Sequence, residues 1–313
     1  MGFNIKRFMS NNVREIALLG IIITLGILVN VRSGGDFLTA KNIRDMMSET
    51  SILVILTMGM MMVILTSGID LSIASIMALS GMVGTITLKN FGFNPFVIIC
   101  LAIIIGALAG FINGIVISVF KVLPIIATLG TMNAFRGITY LVSGGSWVLQ
   151  QNMTESFMNV ATGSLFGIDY LIWIAIFIIL LTCYFLNCTR TGRKIYAIGN
   201  SEKSAIISGI NVKKVITLTY ILMGALAGLG GILYVCKYAA AQGETALGYE
   251  MNVIAACVLG GVSTIGGLGK VHGAVLGAIL FGMLNNALPL LQISPFWQEG
   301  IRGTIILVSN QYQ

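Results

Sequence analysis

Apolar runs separated by short polar breaks fill this chain, and a helix needs about 20 such residues to cross about 30 Å of hydrocarbon. They lie at Ile16–Val31, Ser51–Ser67, Leu71–Leu88, Phe96–Phe120, Ile125–Val142, Tyr170–Leu186, Val215–Val235, Asn252–Ile265, Val271–Leu288 and Ile301–Val308. The pattern predicts ten transmembrane helices, the eighth short and the tenth cut by the end of the sequence. The predicted fold class is therefore an all-α integral membrane protein that includes short or broken helices. Composition points the same way: 57% of residues are hydrophobic and 9% charged, with a mean hydropathy of +0.95. Too little polar surface is left to cover a water-soluble domain.

Two stretches share an unusual pattern. Gly68-Ile69-Asp70-Leu71-Ser72-Ile73, followed by Leu79 and Gly81, has the spacing of Gly248-Tyr249-Glu250-Met251-Asn252-Val253, followed by Leu259 and Gly261. Each leads into a Gly-rich apolar span that reaches Asn113 in one case and Asn285-Asn286 in the other. A proline (Pro124; Pro295) and an Arg-Gly pair (Arg136-Gly137; Arg302-Gly303) come next. The order predicts an internal duplication, with halves at about 51–142 and 215–308 of a single domain 1–313. Asp70 opens the third predicted span and Glu250 the eighth. An odd offset makes the copies inverted, and inverted repeats place a pathway between them.

Basic residues set the expected orientation, because cytoplasmic loops near span ends are enriched in Lys and Arg. Lys6, Arg7 and Arg14 precede the first span, and the loop 187–214 holds Arg190, Arg193, Lys194, Lys203, Lys213 and Lys214. The stretch Ser143–Asp169 has no Lys or Arg. Both termini are expected in the cytoplasm. The external segment Val31–Glu49 runs against the rule, with Arg32, Lys41 and Arg44 among Asp36, Asp45 and Glu49. The net charge of +7 thus reports topology and contact with anionic lipid heads, not nucleic-acid binding.

A carboxylate at the centre of a bilayer costs about 2.5–3.5 kcal/mol on insertion scales, so Asp70 and Glu250 must face protein or water. Two roles are open to them, lining a substrate pathway or satisfying the orphan amides of the helix that follows. Ser72, Asn113, Asn285 and Asn286 are pathway candidates too, and the asparagines serve equally well as interhelical hydrogen-bonding groups. Gly106-Ala107-Leu108-Ala109-Gly110 and Gly224-Ala225-Leu226-Ala227-Gly228 are small-xxx-small faces that let helices approach. Gly266-Gly267-x-Gly269-Lys270 lacks the earlier Gly and the later Ser/Thr of a phosphate loop, since Thr264 and Val271 stand there. The chain is expected to bind no cofactor and no metal and to hold no catalytic residue; any ATP is used by a partner. Most of the five cysteines, which lack ligand spacing, read as buried apolar groups, and the lone His272 has no clustered ligands.

Within the basic loop, Ala205, Ile206, Ile207 and Ile210 suit one side of a short helix, capped by Asn200 or Ser201 and ended by Gly209. Such a helix lies in the membrane interface or docks another protein. The motifs Gly68-Ile69-Asp70-Leu71-Ser72, Pro124-Ile125-Ile126-Ala127-Thr128-Leu129-Gly130-Thr131-Met132, Thr191-Gly192-Arg193, Gly199-Asn200, Ser208-Gly209-Ile210 and Val258-Leu259-Gly260-Gly261-Val262-Ser263 carry a resemblance. Over nearly its full length the chain resembles the permease subunits of bacterial ABC importers of the ribose/galactose/arabinose type, related to autoinducer-2 and branched-chain amino acid permeases. Ser67 and Ile73-Ala74 depart from the family pattern.

The resemblance implies a second permease copy or paralogue, a cytoplasmic ABC ATPase and an extracytoplasmic sugar-binding protein. It also implies an ATPase-coupling helix over 200–210, which draws in Gly199, Asn200, Ser204, Ala205, Ile206, Ser208, Gly209 and Ile210. The expected function is translocation of a pentose or hexose. Autoinducer-2 or another small polar solute is the alternative within the family, and an ion-coupled carrier the alternative outside it.

Overall fold

The computed structural model describes residues 13–294, 296–298, 300–301 and 303–304. Lys6, Arg7, Pro295, Arg302 and most of the tenth apolar run lie outside the described residues. In chain order the elements are α1 (Val13–Arg32), α2 (Ala40–Leu65), α3 (Ile73–Phe91), α4 (Pro95–Ser118) and α5 (Pro124–Ser143). A connecting region follows, with β1 (Val148–Leu149), α6 (Glu155–Thr162), β2 (Ser164–Leu165) and β3 (Ile168–Asp169). Then come α7 (Tyr170–Cys188), α8 (Arg190–Asn200), α9 (Glu202–Ile207), α10 (Val212–Tyr238), β4 (Ala240–Ala241), α11 (Tyr249–Leu259) and α12 (Val271–Leu290).

Six of these helices, α1, α2, α4, α7, α10 and α12, are long and apolar enough to cross a membrane, and the chain is a helical membrane protein. The other predicted runs correspond to α3, α5 and the 11-residue α11. In α3 the apolar pattern is diluted by hydroxyls that the bundle buries. Thr85 Oγ1 bonds Gly81 O at 2.8 Å and Ser80 Oγ bonds Met77 O at 3.1 Å, so these two are satisfied on the backbone of their own helix, while Ser75 Oγ is buried without a hydrogen-bond partner. The all-α expectation needs a small correction, because β1 pairs with β4 and β2 with β3 in two-residue antiparallel ladders. These strands and α6 sit in connections where alternation over two residues gives no periodic signal.

Local chemistry sets the helix starts. Asn94 accepts from Phe96 N at 2.9 Å ahead of Pro95, and Pro124 opens α5, proline being suited to the first helical position. α2 forms the centre of the bundle, and every residue from Ser51 to Leu65 is buried. The two small-residue faces meet each other: a Cβ on Gly106 would strike Gly224 O, and one on Gly224 would strike Gly106 O. Gly110 abuts Tyr220 O and Gly228 abuts Ala102 O. α4 and α10 therefore cross at backbone contact, where added side chains have no room to move aside.

Contacts sort the helix ends onto two sides. At one, hereafter the basic end, Lys121 after α4 pairs with Glu202 of α9 at 3.4 Å, Ser67 after α2 bonds Ile265 O at 2.6 Å, and Lys270 before α12 pairs with Glu15 of α1 at 2.9 Å. At the far end Asn42 of α2 meets Asn286 of α12, Arg44 meets Asp169, and β1 meets β4. α3 starts at the basic end and α11 at the far end, so the two acidic motifs enter the bundle from opposite sides.

Candidate functional site

The structure divides the candidate residues into three places. The first is at the start of α3. A non-helical segment, 66–72, links α2 to α3, and Asp70 lies in it rather than in the helix. Asp70 Oδ1 accepts from Ser72 N at 2.9 Å and from Ser72 Oγ at 2.6 Å, and Asn113 Nδ2 of α4 donates to the same hydroxyl at 2.8 Å. All three side chains are fully buried. Thr128 of α5 and Tyr220 of α10 both donate to Ile69 O, each at 3.4 Å. The carboxylate thus satisfies a helix-start amide, one of the two roles left open by the sequence. It faces no open passage here. Asp70 Oδ2 and Asn113 Oδ1 are buried without a hydrogen-bond partner.

At the far end lies the second place. Glu250 occupies the first turn of α11, where Gly248 at φ +80° turns the chain directly into the helix. In the motif at Gly68 the left-handed residue is Ser67, at φ +59°, one position earlier relative to the motif. That shift is why Asp70 precedes its helix and Glu250 lies within one. Gly68 is small for another reason, since a Cβ there would stand 2.7 Å from the Tyr220 hydroxyl. Arg136 of α5 donates through Nη1 to Gly243 O at 2.7 Å and Thr245 O at 2.9 Å, and it interacts electrostatically with Glu250. Glu250 Oε2 and Asn285 Oδ1 lack partners. Asn286 and Asn42 donate to each other at 3.1 and 3.0 Å, which makes Asn286 a tie between α12 and α2. The six pathway candidates do not form one site.

The third place is the basic loop, and it holds two helices where the sequence predicted one. Thr189 caps α8, accepting from Gly192 N at 3.0 Å, and a Cβ on Gly192 would run into Phe185 O and Leu186 O. The Thr191-Gly192-Arg193 motif is therefore a tight corner beneath α7. Asn200 ends α8 and Ser201 caps α9, accepting from Ser204 N at 3.2 Å. Gly209, at φ +78°, closes α9, with Gly209 N bonding Ile206 O at 2.9 Å and Ile210 N bonding Ala205 O at 3.0 Å. The expected common face of Ala205, Ile206, Ile207 and Ile210 is corrected: Ala205 is 3% exposed while Ile206 and Ile207 are 56% and 87% exposed. A helix that rotates about 100° per residue cannot turn three consecutive residues to one side.

Gly199 reveals what the phosphate-loop-like glycines do. Gly267 N donates to Leu65 O, the last residue of α2, at 3.0 Å. A Cβ on Gly199 would collide with Leu65 O and Gly267 N, and one on Gly267 would crowd Asn200. Tyr196 Oη bonds Gly269 O at 2.9 Å, and burial raises its phenol pKa, keeping the donor proton in place. The end of α2, the end of α8 and the loop after α11 thus form one junction directly beside α9. Nothing in the spacing of these glycines announces it, because the partners are far apart in sequence. A cavity of about 220 Å³ adjoins it, lined in part by Thr66, Ser67, Lys121, Pro124, Glu202 and Tyr220.

A family model described as branched-chain amino acid transport system / permease component matches residues 42–309. The chain is 36% identical over 309 residues to the ribose import permease protein RbsC of Haemophilus influenzae, covering 98% of this chain and 94% of that protein. With RbsC of Escherichia coli K12 it shares 36% over 296 residues, 94% of this chain and 91% of that one. The autoinducer 2 import system permease protein LsrC of Yersinia pseudotuberculosis is 33% identical over 301 residues, 96% of this chain and 84% of that one. No solved structure matches the chain. Likeness of this extent, in a chain with six helices long and apolar enough to cross a membrane, places it in this permease family, as the translocation subunit of an ABC transporter rather than an enzyme.

Proposed function

We propose that the chain forms the transmembrane path of an ATP-driven importer for a monosaccharide, with ribose the first substrate to test. The likeness to RbsC, 36% over 98% of the chain, carries this reading. In it, an extracytoplasmic binding protein delivers the sugar, a second copy or a paralogue completes the path, and a cytoplasmic ATPase hydrolyses the ATP. The basic end is cytoplasmic, and α9 with its exposed Ile206 and Ile207 seats on the ATPase. Ten spans in two inverted halves complete the architecture, and the opposite entry of α3 and α11 supports it. Of the pathway candidates, Glu250 and Asn285 at the far end keep unsatisfied oxygens that sugar hydroxyls would meet; a neutral polyol is suited to such scattered single acceptors.

The test is reconstitution of the chain with the ATPase and binding protein encoded beside it, followed by uptake of labelled ribose. Uptake that requires ATP and the binding protein, and that excess ribose suppresses, is expected. Uptake driven by an ion gradient alone would establish a secondary carrier. The likeness to LsrC at 33% favours a second arm with autoinducer-2, whose preferential uptake would replace the sugar assignment while leaving the importer reading intact.

A further inference from the structure

The cationic residues that break the orientation rule, Lys41 and Arg44, stand at the rim of a groove of about 700 Å³ at the far end, between the first turns of α2 and the entry to α7. Its floor is apolar, formed by Ile43, Met47, Ile168 and Ile172. We propose that this groove binds an anionic phospholipid, the phosphate at Lys41 and Arg44 and one acyl chain along the apolar floor. The proposal rests on the membrane embedding and charge of this surface, and not on which solute is transported.

Several observations converge on that ligand. α2 has 26 residues and at about 1.5 Å per residue is about 39 Å long, against about 30 Å of hydrocarbon. All its charged residues, Lys41, Arg44, Asp45 and Glu49, lie in its first turns, so the excess length falls there and those turns reach the headgroup layer. α7 has 19 residues and starts at that same boundary, where Tyr170 and the partly exposed Trp173 suit the interfacial aromatic belt. Arg44 is already tied through Nε to Asp169 Oδ1 at 2.6 Å and through Nη2 at 2.5 Å, which fixes the groove wall and the direction of its fork. Its side chain remains 46% exposed, and a guanidinium has five N–H donors, so donors are left for a phosphate. Lys41 is exposed and makes no ion pair among the described residues, and Asp45 and Glu49 do not line the groove. From Ile172 the floor continues to Ile176 and Leu180, each one turn further along α7 and exposed at 39% and 63%. An acyl chain thus has a continuous apolar track from headgroup level towards the bilayer centre. A soluble partner would instead have to reach below the headgroups to use the floor.

The full chain in nanodiscs, labelled with photoactivatable phosphatidylglycerol or with the phosphatidylcholine of identical acyl chains, tests this. Each basic side chain near a membrane surface contributes enough for a change of about fivefold. The anionic probe should therefore mark the peptides holding Ile43–Met47 and Ile168–Ile172 about fivefold more than the zwitterionic one. Lys41→Gln, at an exposed position that leaves folding intact, should remove most of that preference, while Lys213→Gln at the basic end should leave it unchanged. Ile172→Trp, which fills the floor, should reduce labelling by both probes. Equal labelling by the two lipids, a preference indifferent to Lys41→Gln, or shielding of these peptides by the binding protein with no lipid label would each overturn the assignment.

Discussion

Asp70 shows how one carboxyl organises a helix start that no regular cap provides. Ser72 stands at the N-cap position of α3 without a side-chain cap bond of its own, and its amide and hydroxyl both go to Asp70 Oδ1. Asp70→Ala would strand a buried amide and loosen the link through Ser72 to Asn113. A buried group left unsatisfied costs about 1–3 kcal/mol, so the variant should unfold at a lower detergent or thermal midpoint. Asp70→Asn retains an accepting oxygen for the Ser72 amide and hydroxyl, and should be close to the parent. Thermal unfolding of the two purified variants decides the matter; equal loss in both would mean that the charge, not the hydrogen-bond geometry, is what the site requires. At the α4–α10 crossing the sensitive atom is a hydrogen. Gly224→Val would drive a branched side chain into Gly106 O and the Gly110 backbone, and overpacking of that kind costs about 1–3 kcal/mol or more. The expected result is loss of folded protein in the membrane, read by fluorescence-detected size exclusion.

Elements differ in how much of them the residue pattern discloses. The long apolar helices were readable because a bilayer fixes their length, and the Gly106 and Gly224 faces were each readable as small-residue contacts, though not that they meet each other. α8 was not, since Thr189 to Asn200 mixes charge and glycine in a way that reads as loop until Gly192 is seen packed beneath α7. α9 was readable from its cap and its closing glycine, but six residues are too few to fix which face is buried. That face matters for coupling. Ile206 and Ile207 project from the bundle, so Ile206→Asp should weaken association with the ATPase or uncouple hydrolysis from uptake while leaving insertion and abundance intact. Co-purification with the ATPase and the ratio of ATP hydrolysed to solute moved are the readouts, and normal values for both would reduce α9 to an interfacial helix. The site residues were legible one by one but not in their grouping: Asp70, Ser72 and Asn113 meet because α4 runs beside the start of α3, while Glu250 lies across the molecule near Arg136. Identical spacing in the two motifs hid that difference, because a single left-handed residue, Ser67 in one and Gly248 in the other, changes where the helix begins.

For the whole molecule, sidedness is the property on which the coupling reading depends. Lys121, Glu202, Ser67, Ile265, Lys270 and Glu15 are joined at one end, and Asn42, Asn286, Arg44 and Asp169 at the other. The helices between them alternate in direction, so fixing one end fixes both. Six Lys and Arg from α8 to the first turn of α10 would have to cross the membrane if the basic end were external, against the strong bias that holds such residues in the cytoplasm. Single cysteines at Lys203 and Lys213 should therefore resist a membrane-impermeant maleimide in intact cells, and those at Gln151 and Glu155 should react. The native Cys100, Cys183, Cys188, Cys236 and Cys257 must be replaced first. Lysing the cells should expose the Lys203 and Lys213 sites and leave the other two unchanged, which separates sidedness from simple burial. Reaction at Lys203 before lysis would reverse the orientation, move the acidic start of α3 to the outer face and remove α9 from reach of any cytoplasmic ATPase.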